Sequence, residues 1–218
     1  MLFNNREDAG RRLATLLQGH SDNQPVIIAL PRGGVPVAGQ IAAALRAPLD
    51  VRVVKKIGVP GQPELALGAV TSNGTTAWNT SLVDWLHISA ADCEGLRLSA
   101  LKSAEKQEAA FRQNFPETST EGRTVVVVDD GVATGMTLEA ALRALRREAP
   151  KQIIVAAPVI SAAASQRLKS LVNAIFALDV PQFFSAVGSY YVNFEQVDNS
   201  EVYQTLANYH PLTSPQTT

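Results

Sequence analysis

One cysteine, Cys93, occurs in 218 residues, so no internal disulfide framework is available, and it has no activating neighbour; it reads as a quiet helix residue. Histidine is nearly as scarce. His20, His87 and His210 stand far apart, without metal-ligand spacing, and read as surface residues. No apolar stretch approaches the ~20 residues a membrane crossing needs. Residues 1–19 lack the basic, apolar and small-residue order of a secretory leader, because Arg11 and Arg12 interrupt them. The formal net charge of -1 excludes a strong field directed at nucleic acid or an anionic membrane surface. Internal repeats and low-complexity stretches are missing too. These absences predict a cytoplasmic protein with neither a nucleic-acid nor a membrane partner. The hydrophobic fraction of 46% supports one sizeable core, and the length suits one domain.

What is present alternates between strand and helix. Ala9, Leu13, Leu16 and Leu17 share one face, predicting an amphipathic helix over residues 6–18. Val26-Ile27-Ile28-Ala29-Leu30 reads as a strand buried on both faces. Pro31-Arg32-Gly33-Gly34 breaks it, and Val35, Ala38, Ile41, Ala42 and Leu45 mark a following helix. Residues 50–54 read as one strand, residues 57–64 as a flexible loop, and residues 66–71 and 75–78 as short strands joined by Asn73-Gly74. Ser89 caps a long helix reaching about Asn114, and residues 116–122 form a polar connector. Strands are predicted at residues 125–128, 152–157 and 174–178, with helices following residue 137 and over residues 162–171. The fold class is α/β with a mainly parallel central sheet flanked by helices. Aromatic residues gather between Phe183 and Tyr209, outside the alternation, and residues 211–218 read as a frayed tail.

The chemistry is expected at the end of the Val125–Val128 strand, where Asp129-Asp130-Gly131-Val132-Ala133-Thr134-Gly135-Met136-Thr137 leads into a helix. Ligands of open α/β sheets bind at the carboxyl ends of strands. The first amides of a helix lack partners, and the helix dipole favours an anion. Gly131 and Gly135 let backbone approach a phosphate, and Thr134 and Thr137 add hydroxyl donors. A bare phosphate gains nothing from two adjacent carboxylates. A sugar phosphate does, because carboxylates accept hydrogen bonds from vicinal hydroxyls. The pattern therefore reads as a ribose 5-phosphate site. A Walker A loop is excluded because Met136, not lysine, follows Gly135, and no G-x-G-x-x-G fingerprint is present. The plain alternative is that the acids only cap the next helix and the glycines only turn the chain.

Residues 126–137 resemble the ribose-phosphate signature of type I phosphoribosyltransferases. Pro31-Arg32-Gly33-Gly34 resembles the family's pyrophosphate loop, where a non-proline cis peptide can occur near Arg32. Lys55-Lys56-Ile57-Gly58, Pro63-Glu64-Leu65-Ala66-Leu67-Gly68-Ala69 and Ala186-Val187-Gly188-Ser189-Tyr190-Tyr191 with Phe194 and Gln196 resemble an uncharacterised bacterial branch, sometimes fused to a dienelactone-hydrolase-like domain. The resemblance implies one domain over residues 1–210, with a core at about 24–180 and a hood from about 1–20 and 181–210. It implies 5-phospho-α-D-ribosyl 1-diphosphate (PRPP) as substrate, Mg²⁺ as cofactor, and displacement of pyrophosphate at ribose C1 by a nitrogenous base or similar small acceptor.

Roles follow from the same resemblance. Asp129 and Asp130 would hold the ribose hydroxyls, act catalytically, and contact Mg²⁺ directly or through water. Residues 131–137 would hold the 5-phosphate, and Arg32, Gly33, Gly34 and Lys56 the pyrophosphate. Lys56 is preferred over Lys55 because it stands nearer the loop; the plain alternative is that both lysines are solvated at a strand end. The 57–64 loop either folds over the site to exclude water or is ordinary surface. Tyr190 and Tyr191 either stack on the acceptor or simply pack. A non-catalytic regulator binding PRPP or a nucleotide is the alternative to an enzyme, a phosphoribosyl hydrolase is a third reading, and a homodimer is the expected assembly.

Overall fold

The computed structural model describes residues 1–210, except for the side chains of residues 21–23 and 63–64; the tail expected at 211–218 lies outside the described residues. Five strands form a parallel sheet: β1 (Val26–Ala29), β2 (Leu49–Val51), β6 (Thr124–Val128), β7 (Gln152–Val159) and β8 (Ala174–Asp179), in the order β2-β1-β6-β7-β8. Alternate residues of the buried strands feed two cores. Ile27, Ala29, Val126 and Val128 face α1 (Arg6–Leu17), α2 (Gly34–Leu45) and α7 (Asn199–Tyr209). Val26, Ile28, Val125 and Val127 face α5 (Met136–Arg146) and α6 (Ala162–Leu168). Strands covered on both sides need no polar alternation, which is why they read as unbroken aliphatic runs.

A second sheet is antiparallel: β3 (Val54–Val59), β4 (Gln62–Thr71) and β5 (Thr76–Trp78). Ile57, Leu67 and Val70 pack against α3 (Thr80–Trp85) and α4 (Ala90–Arg112) through Leu82, Leu86, Leu96 and Leu101. The opposite face, with Ala66, Ala69 and Ala77, meets Met136 and Ala140 of α5. Ser89 caps α4 as expected, accepting from the Asp92 amide. No helix among the described residues is long and apolar enough to cross a membrane.

Several boundaries differ from expectation. The strand predicted over residues 50–54 is two strands in different sheets, because the intervening backbone is drawn elsewhere: the Val53 amide donates to Glu108, and Arg52 turns into an ion cluster. The loop predicted over 57–64 is a β-hairpin with a bulge near Gly58. The 162–171 helix stops at Leu168, and α3 and α7 were not anticipated. His210 is not a surface residue; it is buried, and its Nε2 lies 2.8 Å from the Pro116 carbonyl oxygen.

The ion cluster ties the second sheet to the first. Asp50 on β2 is fully buried and accepts from Arg52 and Arg112, each at 2.7 Å, and from the Thr118 amide at 2.9 Å. Burial alone would raise its carboxyl pKa, but the two guanidiniums outweigh that and hold it below the usual range. The sign follows: a depressed folded-state pKa contributes stability that is present above the unfolded value and lost as pH falls. Asp50→Ala removes the buried carboxylate shared by two arginines, which keep only the less buried Glu108, Glu117 and Glu148, and the expected loss is about 2–3 kcal/mol at neutral pH, read by denaturant unfolding. The deficit should shrink as the pH falls below about 4. A variant as stable as the parent at pH 7 would remove this cluster from the fold's supports.

Candidate functional site

Chain order reverses between β1 and β6, and at that switch point two loops leave adjacent strands on the same edge. The Leu30 amide donates to the Val128 carbonyl oxygen at 2.9 Å, which ties the loops at their roots. The Pro31–Arg32 peptide is cis, as the family resemblance led us to expect. The Gly33-Gly34 backbone then lies directly on the acid pair. A Cβ on Gly33 would fall 2.1 Å from Asp130 Oδ2, and one on Gly34 would fall 2.7 Å from the Val128 carbonyl oxygen. Only glycine allows this approach.

The loop from Asp129 to α5 is held from behind. The Val132 amide donates to Val159, the Ser161 amide donates to Val132, both at 2.9 Å, and Ser161 Oγ donates to the Ala133 carbonyl oxygen at 2.6 Å. Val132 and Met136 are buried, so they offer only backbone to a ligand, whereas Ala133 and Thr134 are exposed. Gly135 sits at φ +79 and opens α5 from a left-handed conformation that disfavours side chains. Among the described residues, the amides of Ala133, Thr134, Gly135 and Thr137 have no hydrogen-bond partner, and the Met136 amide has only Thr134 Oγ1 at 3.4 Å. Unspent donors on a helix N-terminus form a seat for an anion.

Asp129 and Asp130 lie side by side in front of that seat. Asp129 Oδ1 accepts the Asp130 amide at 2.9 Å, and Asp130 Oδ2 accepts Arg6 Nε at 2.7 Å. Burial raises both carboxyl pKa values. Asp130 then pushes Asp129 further, while Arg6 partly relieves Asp130. The ordering therefore makes Asp129 the more readily protonated member.

The other expected residues separate into groups. Lys55 stands in the field of Arg32: burial first, then Arg32, lowers its pKa; Lys56 is exposed on the next position of β3. The Asp198 carboxyl, at the N-cap of α7, is held below its usual range by hydrogen bonds from Ser200 and the Glu201 amide, with a smaller contribution from Arg32. Tyr191 is brought to the acids as a support and not as an open stacking face. Its ring is 6% exposed between Phe3 and Phe194, and its hydroxyl donates to the Asp130 carbonyl oxygen at 2.5 Å. Burial, then Asp130, raises its pKa and keeps it a donor. Tyr190 pairs with Phe184, ring centroids 5.3 Å apart. Sequence reasoning missed Arg6 and Ser161. The available signal for Arg6 was a cation in the first turn of a helix, where the dipole opposes it.

A parallel α/β sheet with an anion seat and an acid pair at its switch point defines the class. Residues 2–195 match the model of the phosphoribosyl transferase domain, and the chain belongs to that family. A Mycobacterium tuberculosis protein with the provisional name phosphoribosyl transferase is 39% identical over 209 residues, covering 96% of this chain and 47% of that protein. The chain thus spans about half the length of the curated relatives it matches. A crystal structure from Thermus thermophilus superposes with a TM-score of 0.80 at 39% identity, covering 96% of this chain and 100% of that one. A Neisseria gonorrhoeae protein crystallised with bound ppGpp shares the fold alone, with a TM-score of 0.50 at 13% identity over 95% of this chain and 96% of that one.

Two carboxylates pressed together without ligand cost stability. Because the folded-state pKa of Asp129 is raised, its contribution favours folding at acid pH and is lost as pH rises through the folded value. Asp129→Asn, a neutral isostere able to keep the Asp130 amide bond, should gain on the order of 1 kcal/mol at pH 8, a rise in Tm of a few degrees. The gain should vanish near pH 4 in thermal scans; a gain independent of pH contradicts the electrostatic account.

Proposed function

We propose that the protein is a Mg²⁺-dependent phosphoribosyltransferase that moves ribose 5-phosphate from PRPP to a nitrogenous acceptor with release of diphosphate. One arrangement carries the reading: open amides and an acid pair stand on one loop, the Gly33-Gly34 backbone lies against the acids, and Arg32, from the same loop as those glycines, acts on Lys55 of β3. The amides suit a phosphate monoester. The carboxylates repel bare phosphate but accept from a diol. The cations suit a diphosphate. PRPP presents these three groups in one molecule.

In this reading the residue 131–137 backbone, with Thr134 and Thr137, holds the 5-phosphate. Asp129 and Asp130 hold the ribose hydroxyls and offset positive charge developing on the ring. Arg32, Lys55 and the glycine amides receive the diphosphate. The C1–O bond breaks with its electron pair leaving on diphosphate, the acceptor nitrogen forms the new bond to C1, and the acceptor sheds a proton, for which the acid pair is the base. The donor set also fits the cation: Asp129 and Asp130 offer hard oxygens, and no cluster of three or more His, Cys, Asp or Glu residues among the described residues could cage a metal. Mg²⁺ is held in such fashion, by one or two carboxylates with substrate phosphates and water, and would supply charge neutralisation at the diphosphate. Asp129 and Asp130 are the residues that would hold it.

The catalytic unit in this proposal is one domain, with a core over about residues 24–180 and a hood from about 1–20 and 181–210. The β3–β4 hairpin, which carries Lys55, is the element suited to cover the diphosphate and exclude water. The greater length of the mycobacterial relatives supports placement in the branch that occurs joined to a second domain.

The test is a screen of bases and amines with PRPP and Mg²⁺, reading diphosphate release. An active acceptor should give turnover that drops by at least about a thousandfold in Asp129→Asn/Asp130→Asn. Gly33→Ala should lose turnover as well, since its Cβ would overlap Asp130. Release that survives the double substitution overturns the catalytic assignment. Tight PRPP binding with no release under any acceptor identifies a non-catalytic binding protein instead.

A further inference from the structure

Arg6 opens α1, where the helix dipole disfavours a cation, and yet it is 9% exposed. Nothing in the helix itself explains that burial. Three contacts do. Its Nε donates to Asp130 Oδ2, its Nη1 donates to the Glu195 carbonyl oxygen at 2.7 Å, and its guanidinium carbon lies 3.8 Å from the centroid of Phe194. Phe194 in turn stacks on Tyr191, whose hydroxyl holds the Asp130 backbone. Asp130 is therefore gripped at its side chain and at its carbonyl by the two terminal segments, while its amide is held within its own loop.

This grip decides which oxygens remain. Asp130 Oδ2 belongs to Arg6, and Asp129 Oδ1 belongs to the Asp130 amide. Each carboxylate keeps one oxygen that no arginine among the described residues occupies, and the two carboxyl groups lie within hydrogen-bond reach of each other. We propose that Arg6 is a positioning residue for the sugar diol: by fixing Asp130 Oδ2 it presents Asp130 Oδ1, together with Asp129 Oδ2, as the acceptor pair for two vicinal hydroxyls. The inference rests on the ribose 5-phosphate reading of the site. It adds that recognition of the second hydroxyl depends on a residue more than a hundred positions away in the chain.

Calorimetric titration with ribose 5-phosphate, 2-deoxyribose 5-phosphate and inorganic phosphate tests it in the parent chain, Arg6→Lys and Arg6→Met. The parent should prefer ribose 5-phosphate over the deoxy sugar by about tenfold, the usual effect of leaving one polar group unpaired. Arg6→Met should reduce that preference to within about twofold while binding inorganic phosphate as before, and Arg6→Lys should fall between. General loosening of the site would weaken all three ligands together and would overturn the proposal. So would a folded Arg6→Met that keeps the tenfold preference. Should Arg6→Met not fold, Arg6→Lys decides: an undiminished preference overturns the proposal. A parent that binds neither sugar phosphate sinks the site reading itself, and the role of Arg6 with it.

Discussion

Two neighbouring carboxylates at the end of a buried strand repel each other, and no packing of aliphatic side chains relieves that repulsion. The fold manages it with direction. The Asp130 amide takes one oxygen of Asp129, and the guanidinium of Arg6 takes one oxygen of Asp130. In the proposed ribose reading, a polyhydroxylated ligand supplies donors to the remaining oxygens, so the protein's least comfortable contact is also the one that binding relieves.

Around this pair the architecture is set by how closely other backbone must come. The switch point places two strand ends side by side, and Gly33 and Gly34 let the first loop touch the acids of the second. Loop 129–135 is held to that contact, because Val159 at the end of β7 and Ser161 at the cap of α6 bond its amide and carbonyl groups. Its amides are turned forward as a result. The five-strand sheet thus acts less as a binding surface than as a jig that fixes the spacing between an anion seat, an acid pair and a cationic loop.

The parts legible in the sequence were those with local causes. Val125-Val126-Val127-Val128 could only be a doubly covered strand, and the acids and glycines after it declare their backbone conformation directly. Ser89 announced the start of α4. What stayed hidden had non-local causes. The split after Val51 depends on Asp50 drawing Arg52 and Arg112 inward, and no local pattern encodes that. The hairpin at 54–71 was masked by glycine and proline, which signal a loop until a bulge accommodates them. Lys55 and Lys56 are indistinguishable until the register of β3 is known. Arg6 was invisible because its partners lie 124 and 189 residues away.

That last separation has a temporal meaning during protein synthesis. The earliest segment of the chain pairs with residues 190–193, where Phe3 donates to Tyr190 and accepts from Val192. Arg6 finds its second anchor only at Glu195. A ribosome adding about 5–20 residues per second therefore needs about 10–40 s before both halves of the clasp exist. Once residue 130 is made and until residue 195 arrives, the acid pair stands unguarded, and in the proposed reading the nascent chain carries no finished sugar site. In that reading the pocket is completed late, when the segment around Glu195 meets Arg6.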